Sequence, residues 1–286
     1  MEEINLSKEN KKAILLVSFG TSYEETRKLT LDSIEEYVGI RFKDYEIRKA
    51  FTSHMIINLL RKRDGIYIDT PEEALENLEK EGYEVVIVQS LHIIPGEEYD
   101  YLNKIVKAFK DKKVFEKLEL GRPILYYKGN SEEIPDDYSL AAEAIKLQLP
   151  EDGSVVFMGH GTAHPANACY ACLQFVLKDK GINNAYIGTV EGYPTLDNII
   201  FYLKKHSVKE VTLMPLMIVA GDHCMNDMAS DNNDSWKSTL EKEGFKVKLY
   251  LHGLGENKII KDIFAKHVED SILGNYITIG ETKKGR

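Results

Sequence analysis

Cysteine is scarce: Cys169, Cys172 and Cys224 are the only three in 286 residues. An odd, low count argues against a disulfide framework and fits a reducing compartment. Long apolar runs are also lacking. No stretch approaches the roughly 18 apolar residues of a membrane span, so no membrane partner is expected. Positive charge is in deficit, with 37 Lys and Arg against 46 Asp and Glu, a formal net charge of −9. No basic patch with interleaved aromatics occurs, which removes nucleic acid from the expected partners. The opening residues, MEEINLSKENKK, are polar and lack the basic-then-apolar order of a secretory signal, so a cytoplasmic protein is expected. The chain has no Gly-x-Gly-x-x-Gly after its first strand-like run, no Walker A motif and no Gly-x-Ser-x-Gly. A nucleotide cofactor and an α/β-hydrolase nucleophile are therefore unsupported.

What the sequence does contain is a series of short runs rich in Val, Ile and Leu, which read as buried parallel strands. In the first half they fall at 13–18 (AILLVS), 46–51 (EIRKAF), 84–90 (EVVIVQS) and 123–127 (PILYY). Helix-period segments separate them at about 23–37, after Thr70-Pro71-Glu72-Glu73, and at about 97–118. Thr70 is a natural N-cap, Pro71 suits the first helical position and the two acids suit the first turn. The second half repeats the plan. Its strands are expected at 154–158, 185–189, 211–216 and 246–251, with helices near 165–177, 195–205, 226–243 and 257–271. The alternation predicts an α/β fold of two similar domains, each a parallel four-stranded sheet flanked by helices. The domains are expected at 1–130 and 131–286, and the polar 129–137 (GNSEEIPDD) is the candidate crossover.

The halves also resemble each other locally, as a duplication would leave them. Ser18-Phe19-Gly20-Thr21 follows the first strand of one half and Gly159-His160-Gly161-Thr162 that of the other. Aligned in this way, Phe19 matches His160, His54 matches Glu191 and Glu98 matches His223.

Ligands of open parallel sheets bind beyond the carboxyl ends of the strands. His160, Glu191 and His223 each follow a different strand of the second half and can converge at one sheet edge. Two imidazoles and a carboxylate suit Co, Ni, Fe or Zn and leave coordination positions free. His160 is the sharpest of the three, because glycines on both sides permit a tight bend that exposes the side chain. His164 reads equally well as structural. Cys169 and Cys172 form a CxxC inside a helical segment and read as buried small residues. His54 and His92 sit at strand ends where they can face the same cleft.

These pieces together resemble the class II chelatase family, most closely its anaerobic cobaltochelatases of the CbiK type. The matching segments are 14–22 (ILLVSFGTS), 50–54 (AFTSH), 88–92 (VQSLH) with 95–98 (PGEE), 159–165 (GHGTAHP), 188–192 (GTVEG), 214–217 (MPLM) with 220–223 (AGDH), and 252–256 (HGLGE). They span nearly the whole chain in order. The resemblance implies two α/β domains around a cleft, with the last helix (about 257–271) returning to the first domain. It implies insertion of Co2+ into sirohydrochlorin or its reduced precursor, within cobalamin biosynthesis, with His160, Glu191 and His223 as metal ligands and the two histidines as catalytic groups. No organic cofactor is expected. Co2+ enters as the substrate metal, with Fe2+ or Ni2+ as alternatives that the same ligands serve.

Sirohydrochlorin carries eight carboxylates, so a chain of charge −9 repels it at long range and the cleft must be locally favourable. Candidate substrate contacts are Phe19, Gly20, Thr21, Ser22, His92, Ile94, Gly161 and Thr162. The backbone N–H groups of the two Gly-Thr loops offer anion donors. Leu91, Ile93, Met217, Ile218 and Val219 are further candidates to sandwich the ring. A homo-oligomer is compatible with the sequence. The competing readings are an iron or nickel chelatase, a two-lobed tetrapyrrole or metal carrier without catalysis, and a bilobal receptor of the periplasmic type.

Overall fold

The computed structural model describes residues 10–131, 133–276 and 279. The first half runs β1 (Lys12–Ser18), α1 (Glu24–Arg27), a π-helical turn (Lys28–Asp32), α2 (Ser33–Arg41), β2 (Glu46–Phe51), α3 (His54–Asp64), α4 (Pro71–Lys80), β3 (Val85–Ser90), α5 (Glu97–Lys112) and β4 (Lys117–Gly121). A short antiparallel pair, β5 (Lys128–Ser131) and β6 (Ile134–Asp136), leads into α6 (Asp137–Lys146). The second half runs β7 (Ser154–Gly159), α7 (Ala168–Asp179), β8 (Ala185–Thr189), α8 (Leu196–Lys205), β9 (Glu210–Pro215), α9 (Trp236–Lys242), β10 (Lys246–Leu249) and α10 (Lys258–Leu273). Among the described residues no helix is long and apolar enough to cross a membrane.

The two sheets share one topology. The first has the order β2-β1-β3-β4 and the second β10-β9-β7-β8, which is the same order of first, second, third and fourth strands read from the other side. All pairings within both sheets are parallel. Successive side chains of a strand point to opposite faces, and here both faces are buried. Ile14 and Leu16 join a cluster with Phe157, Leu216, Ile260 and Phe264 that runs between the sheets. Ala13, Leu15 and Val17 join an outer cluster with Leu75, Leu102 and Phe109 of α4 and α5. Val156 and Met158 face the corresponding outer cluster of the second sheet, with Ile199, Trp236 and Leu240. α10 packs against β3, β4 and α2 of the first half and against α6.

Three expectations need correction, and two helices carry little signal in the sequence. The fourth strand of the first half is Lys117–Gly121, not 123–127, and α5 stops at Lys112 with Lys113 in the left-handed region. β4 is an edge strand paired only to β3, so it shows just the weak alternation KLELG. The more apolar 123–127 continues beside β3 as irregular chain, where the Ile124 and Leu125 amides donate to the carbonyls of His92 and Ile93. The expected helix 226–243 is interrupted. A π-helical turn over Cys224–Met228 comes first, the helix proper begins at Trp236, and the turn-forming residues Asp231-Asn232-Asn233-Asp234 lie between. α3 and α6 were not foreseen, since α3 buries only Ile57 and Leu60 and α6 begins inside the polar crossover. By contrast, Thr70, Pro71 and Glu73 build the capping box expected of them.

A buried polar tie joins three separate stretches of chain. The Arg122 guanidinium donates through Nε and Nη2 to both oxygens of Asp137 (2.9 and 3.1 Å) and through Nη1 to Asp270 (2.9 Å). His267 Nδ1 donates to the Arg122 carbonyl (3.0 Å) and the Tyr127 amide to Asp137 (3.0 Å). Asp137 and His267 are fully buried, and Asp270 and Arg122 nearly so. Burial alone would raise the Asp137 pKa, but the hydrogen bonds and charge of His267 and Arg122 hold it below the usual carboxylate range. A depressed folded pKa adds stability above the ordinary carboxylate pKa, which is lost as pH falls through the folded value. Asp137→Ala leaves Arg122 charged, buried and half-paired. It is expected to cost about 3–5 kcal/mol in urea titrations at neutral pH. The difference from the native chain should narrow in acid, as native Asp137 also loses its charge. A cost below about 1 kcal/mol would contradict the assigned role.

Candidate metal-handling site

The backbone ladder of the second sheet continues beyond its strands. The Val190 amide donates to the Gly159 carbonyl (3.0 Å) and the Glu191 amide to the His160 carbonyl (2.8 Å). That register sets His160 and Glu191 side by side at the carboxyl edge. Gly161 then turns the chain with φ +78, where a Cβ would stand 2.7 Å from both the Gly192 nitrogen and Thr189 Cβ. Gly20 occupies the same place in the first half with φ +94, its missing Cβ 2.4 Å from the Phe51 ring. Even the next residues correspond. Thr21 Oγ1 accepts from the Tyr23 amide (3.2 Å) and Thr162 Oγ1 from the His164 amide (3.0 Å). One backbone device thus presents Phe19 in one half and His160 in the other. The same ladder corrects one match. In the first half the Ser53 amide donates to the Phe19 carbonyl, so Ser53 and not His54 is the counterpart of Glu191. His54 is the exposed first residue of α3.

His160 and His223 meet at the carboxyl edge of the second sheet, with ring centroids 4.6 Å apart and planes at 89°. Each ring has one nitrogen committed. His160 Nδ1 lies 2.8 Å from the Gly161 carbonyl, which can only accept, so Nδ1 carries the hydrogen. His223 Nδ1 donates in the same way to Asp227 Oδ2 at 2.5 Å. In the neutral ring this leaves the Nε2 lone pair of each free for a metal or a proton. Glu191 Oε2 approaches His160 at Nδ1, 3.9 Å away. All three side chains remain open to solvent, at 45%, 58% and 35% exposure for His160, Glu191 and His223. Among the described residues, no three His, Cys, Asp or Glu side chains are arranged to hold an ion together. The two imidazoles are gathered, and Glu191 lies beside them.

Asn167 is a site residue that the sequence did not single out. Its Oδ1 accepts from the Thr162 amide (3.1 Å) and its Nδ2 donates to the Tyr193 carbonyl (2.6 Å), clamping the His160 loop to the Glu191 loop. Asp227 is another, four residues after His223 on the following turn; that spacing was its only signal in the sequence. Three polar contacts join the halves around the cleft. Tyr23 Oη donates to Asp222 Oδ1 (3.1 Å), Thr162 Oγ1 to Glu97 Oε1 (3.4 Å), and His164 Nε2 lies 3.3 Å from Asp100 Oδ2.

The expected substrate contacts are placed unevenly. Phe19 is 45% exposed, while Thr21 is buried with its hydroxyl engaged locally. Ser22, Ile94 and Thr162 are half-buried, and Leu91 and Ile218 belong to the core between the sheets. His92 is held through Nδ1 by the Ser90 hydroxyl (2.8 Å), and its Nε2 is closed off from solvent without a hydrogen-bond partner. Burial pushes the His92 pKa down to about 4, so the ring is neutral at ordinary pH. Cys224 is buried and Cys169 and Cys172 are half-buried, all three as free thiols. A cavity of about 290 Å³ elsewhere, between α5, β4 and the end of α10, includes none of the three candidate ligands.

This geometry can be set beside known proteins. The chain is 43% identical over 265 residues to the sirohydrochlorin cobaltochelatase of Salmonella typhimurium, covering 92% of this chain and 97% of that protein. It is 37% identical over 270 residues to sirohydrochlorin cobaltochelatase CbiKC of Nitratidesulfovibrio vulgaris, covering 92% and 91%. Its fold resembles the solved structure of CbiX, described as the terminal enzyme of siroheme biosynthesis in denitrifying bacteria. That match has a TM-score of 0.51 and 14% identity, covering 90% of this chain and 98% of that one. The model of the family described as cobalt chelatase (CbiK) matches residues 12–273, and with these identities the chain belongs to that family.

Proposed function

We propose that the protein inserts Co2+ into sirohydrochlorin, with His160 and His223 as the groups that deliver the ion and receive a proton. The observation that carries this reading is the pair of facing imidazoles, each with Nδ1 committed to an oxygen and Nε2 unengaged. It stands in a chain whose relatives bear the name sirohydrochlorin cobaltochelatase.

Insertion exchanges two N–H protons of the ring for one divalent ion. Two Nε2 lone pairs bind Co2+ and leave its remaining positions to water and then to pyrrole nitrogens. Glu191 offsets the charge of the ion beside His160. The four cobalt–nitrogen bonds to the ring replace the two imidazole bonds and the bonds to water. The lone pair released on His160 accepts one pyrrole proton, and the second leaves to water at the open edge. A neutral imidazole suits both tasks near pH 7. The exchange is redox-neutral and transfers no group, so it calls for no organic cofactor. Phe19, presented by the matching loop of the first half, offers a flat apolar face to the ring, and the half-buried Ser22 of the same loop offers a hydroxyl to its carboxylates. In this division of labour the unit up to residue 130 grips the ring and the unit from 131 handles the metal.

Replacing His160 or His223 by Ala is expected to lower kcat for cobalt insertion at least about 100-fold, followed by the absorbance change of the tetrapyrrole against the non-enzymic rate. Running Co2+, Fe2+ and Ni2+ in parallel identifies the preferred ion. Full activity in either variant would overturn the assignment. Asp227→Asn keeps the side-chain shape but removes the charge that orients His223. About a 10- to 100-fold loss is expected, mainly in kcat and with little change in tetrapyrrole affinity. An equal loss in affinity would show instead that Asp227 shapes the cleft.

A further inference from the structure

The helix least accounted for by packing is α3. Its buried residues are Ile57 and Leu60, while Met55 is 73% and Leu59 41% exposed. Positions 55, 59 and 62 recur at helical spacing, so Met55, Leu59 and Lys62 lie along one exposed stripe. The helix runs beside the loop that presents Phe19. At its start the Ser53 amide donates to the Phe19 carbonyl (3.3 Å), and at its end Arg63 Nη2 donates to the Ser22 carbonyl (2.5 Å). From that loop, Tyr23 reaches Asp222, the neighbour of His223. The Phe19 loop thus ties this helix at both ends to the segment that reaches the metal-handling site.

Its charge is also distinct. Arg61 and Lys62 have no carboxylate partner among the described residues, and Arg61 lies over the exposed Tyr67 ring (5.0 Å). The lip across the cleft carries Glu191, Asp222 and Asp227, and the chain as a whole carries −9. A polyanion meets repulsion over most of this surface and attraction at the end of α3. We propose that the α3 stripe, with Phe19, is a docking surface for the tetrapyrrole. Met55 and Leu59 extend the apolar face under the ring, Lys62 on the same stripe takes a peripheral carboxylate, and Arg61, around the helix over Tyr67, adds to the positive charge at its end. This rests on the activity proposed above, and it assigns the recognition of the acidic rim to the half that lacks the histidines.

The test separates binding from chemistry. Metal-free sirohydrochlorin is titrated by absorbance into the full chain, into Arg61→Glu/Lys62→Glu and into Met55→Ser/Leu59→Ser, each first checked for an unchanged melting temperature. At low ionic strength the charge-reversed pair is expected to raise Kd about tenfold or more, and added salt should weaken the native chain more than the variant. The serine pair should raise Kd regardless of salt. In the cobalt assay both should raise KM and leave kcat at saturation unchanged. Equal Kd values for native chain and variants would overturn the proposal. So would a change in oligomeric state with Kd unchanged, which would give the surface to a second copy of the chain. Because Kd is read without metal, native binding that the variants lose, with no insertion by the native chain, would sink the proposed activity and leave this surface standing.

Discussion

The relation between the two halves depends on Arg122. It leaves the end of the first sheet, becomes nearly buried, and finds there one carboxylate from the helix that begins the second half and another from the last helix. A buried guanidinium without such partners would be costly. With both Asp137 and Asp270 in place, the three stretches are held in a single arrangement. The hydrophobic cluster between the sheets supplies attraction, but attraction of that kind has no direction. The ion network adds direction, because Arg122 meets Asp137 and Asp270 through different nitrogens and so fixes three stretches of chain against one another.

Much of the plan can be read from the sequence because buried parallel strands advertise themselves. The runs around Leu15, Val86, Val156 and Leu213 are continuous and apolar, and each is a strand. The capping signal at Thr70 is local chemistry and needs no tertiary context. What escaped is what tertiary context decides. β4 is an edge strand with only Leu118 and Leu120 to mark it, and the more apolar 123–127 looks like a strand because it is buried between the halves rather than because it pairs in a sheet. α3 hides because so little of it is buried. Within the site, His160, Glu191 and His223 could be named from their places after strands. Asn167 and Asp227 could not, since what they do depends on hydrogen bonds to loops that only the fold brings near.

The shared topology also shows how a duplicated frame can carry two different edges. Gly20 and Gly161 make the same turn, and Thr21 and Thr162 close it with the same bond. The residue each turn displays is phenylalanine on one side and histidine on the other. Beside them stand Ser53 and Glu191. At these two positions the difference in chemistry lies in side chains on equivalent backbone, whereas His223 stands before a π-helical turn of the second half.

The contacts between the halves near the histidines differ in kind from the buried tie at Arg122. Tyr23 with Asp222, Thr162 with Glu97, and His164 with Asp100 are exposed or half-exposed bonds. Water can replace such contacts at a cost of about 1 kcal/mol or less each, while parting Arg122 from a buried carboxylate costs several times that. The exposed contacts can therefore exchange with water while Arg122 keeps both of its carboxylates, and loosening them does not cost the two halves their alignment.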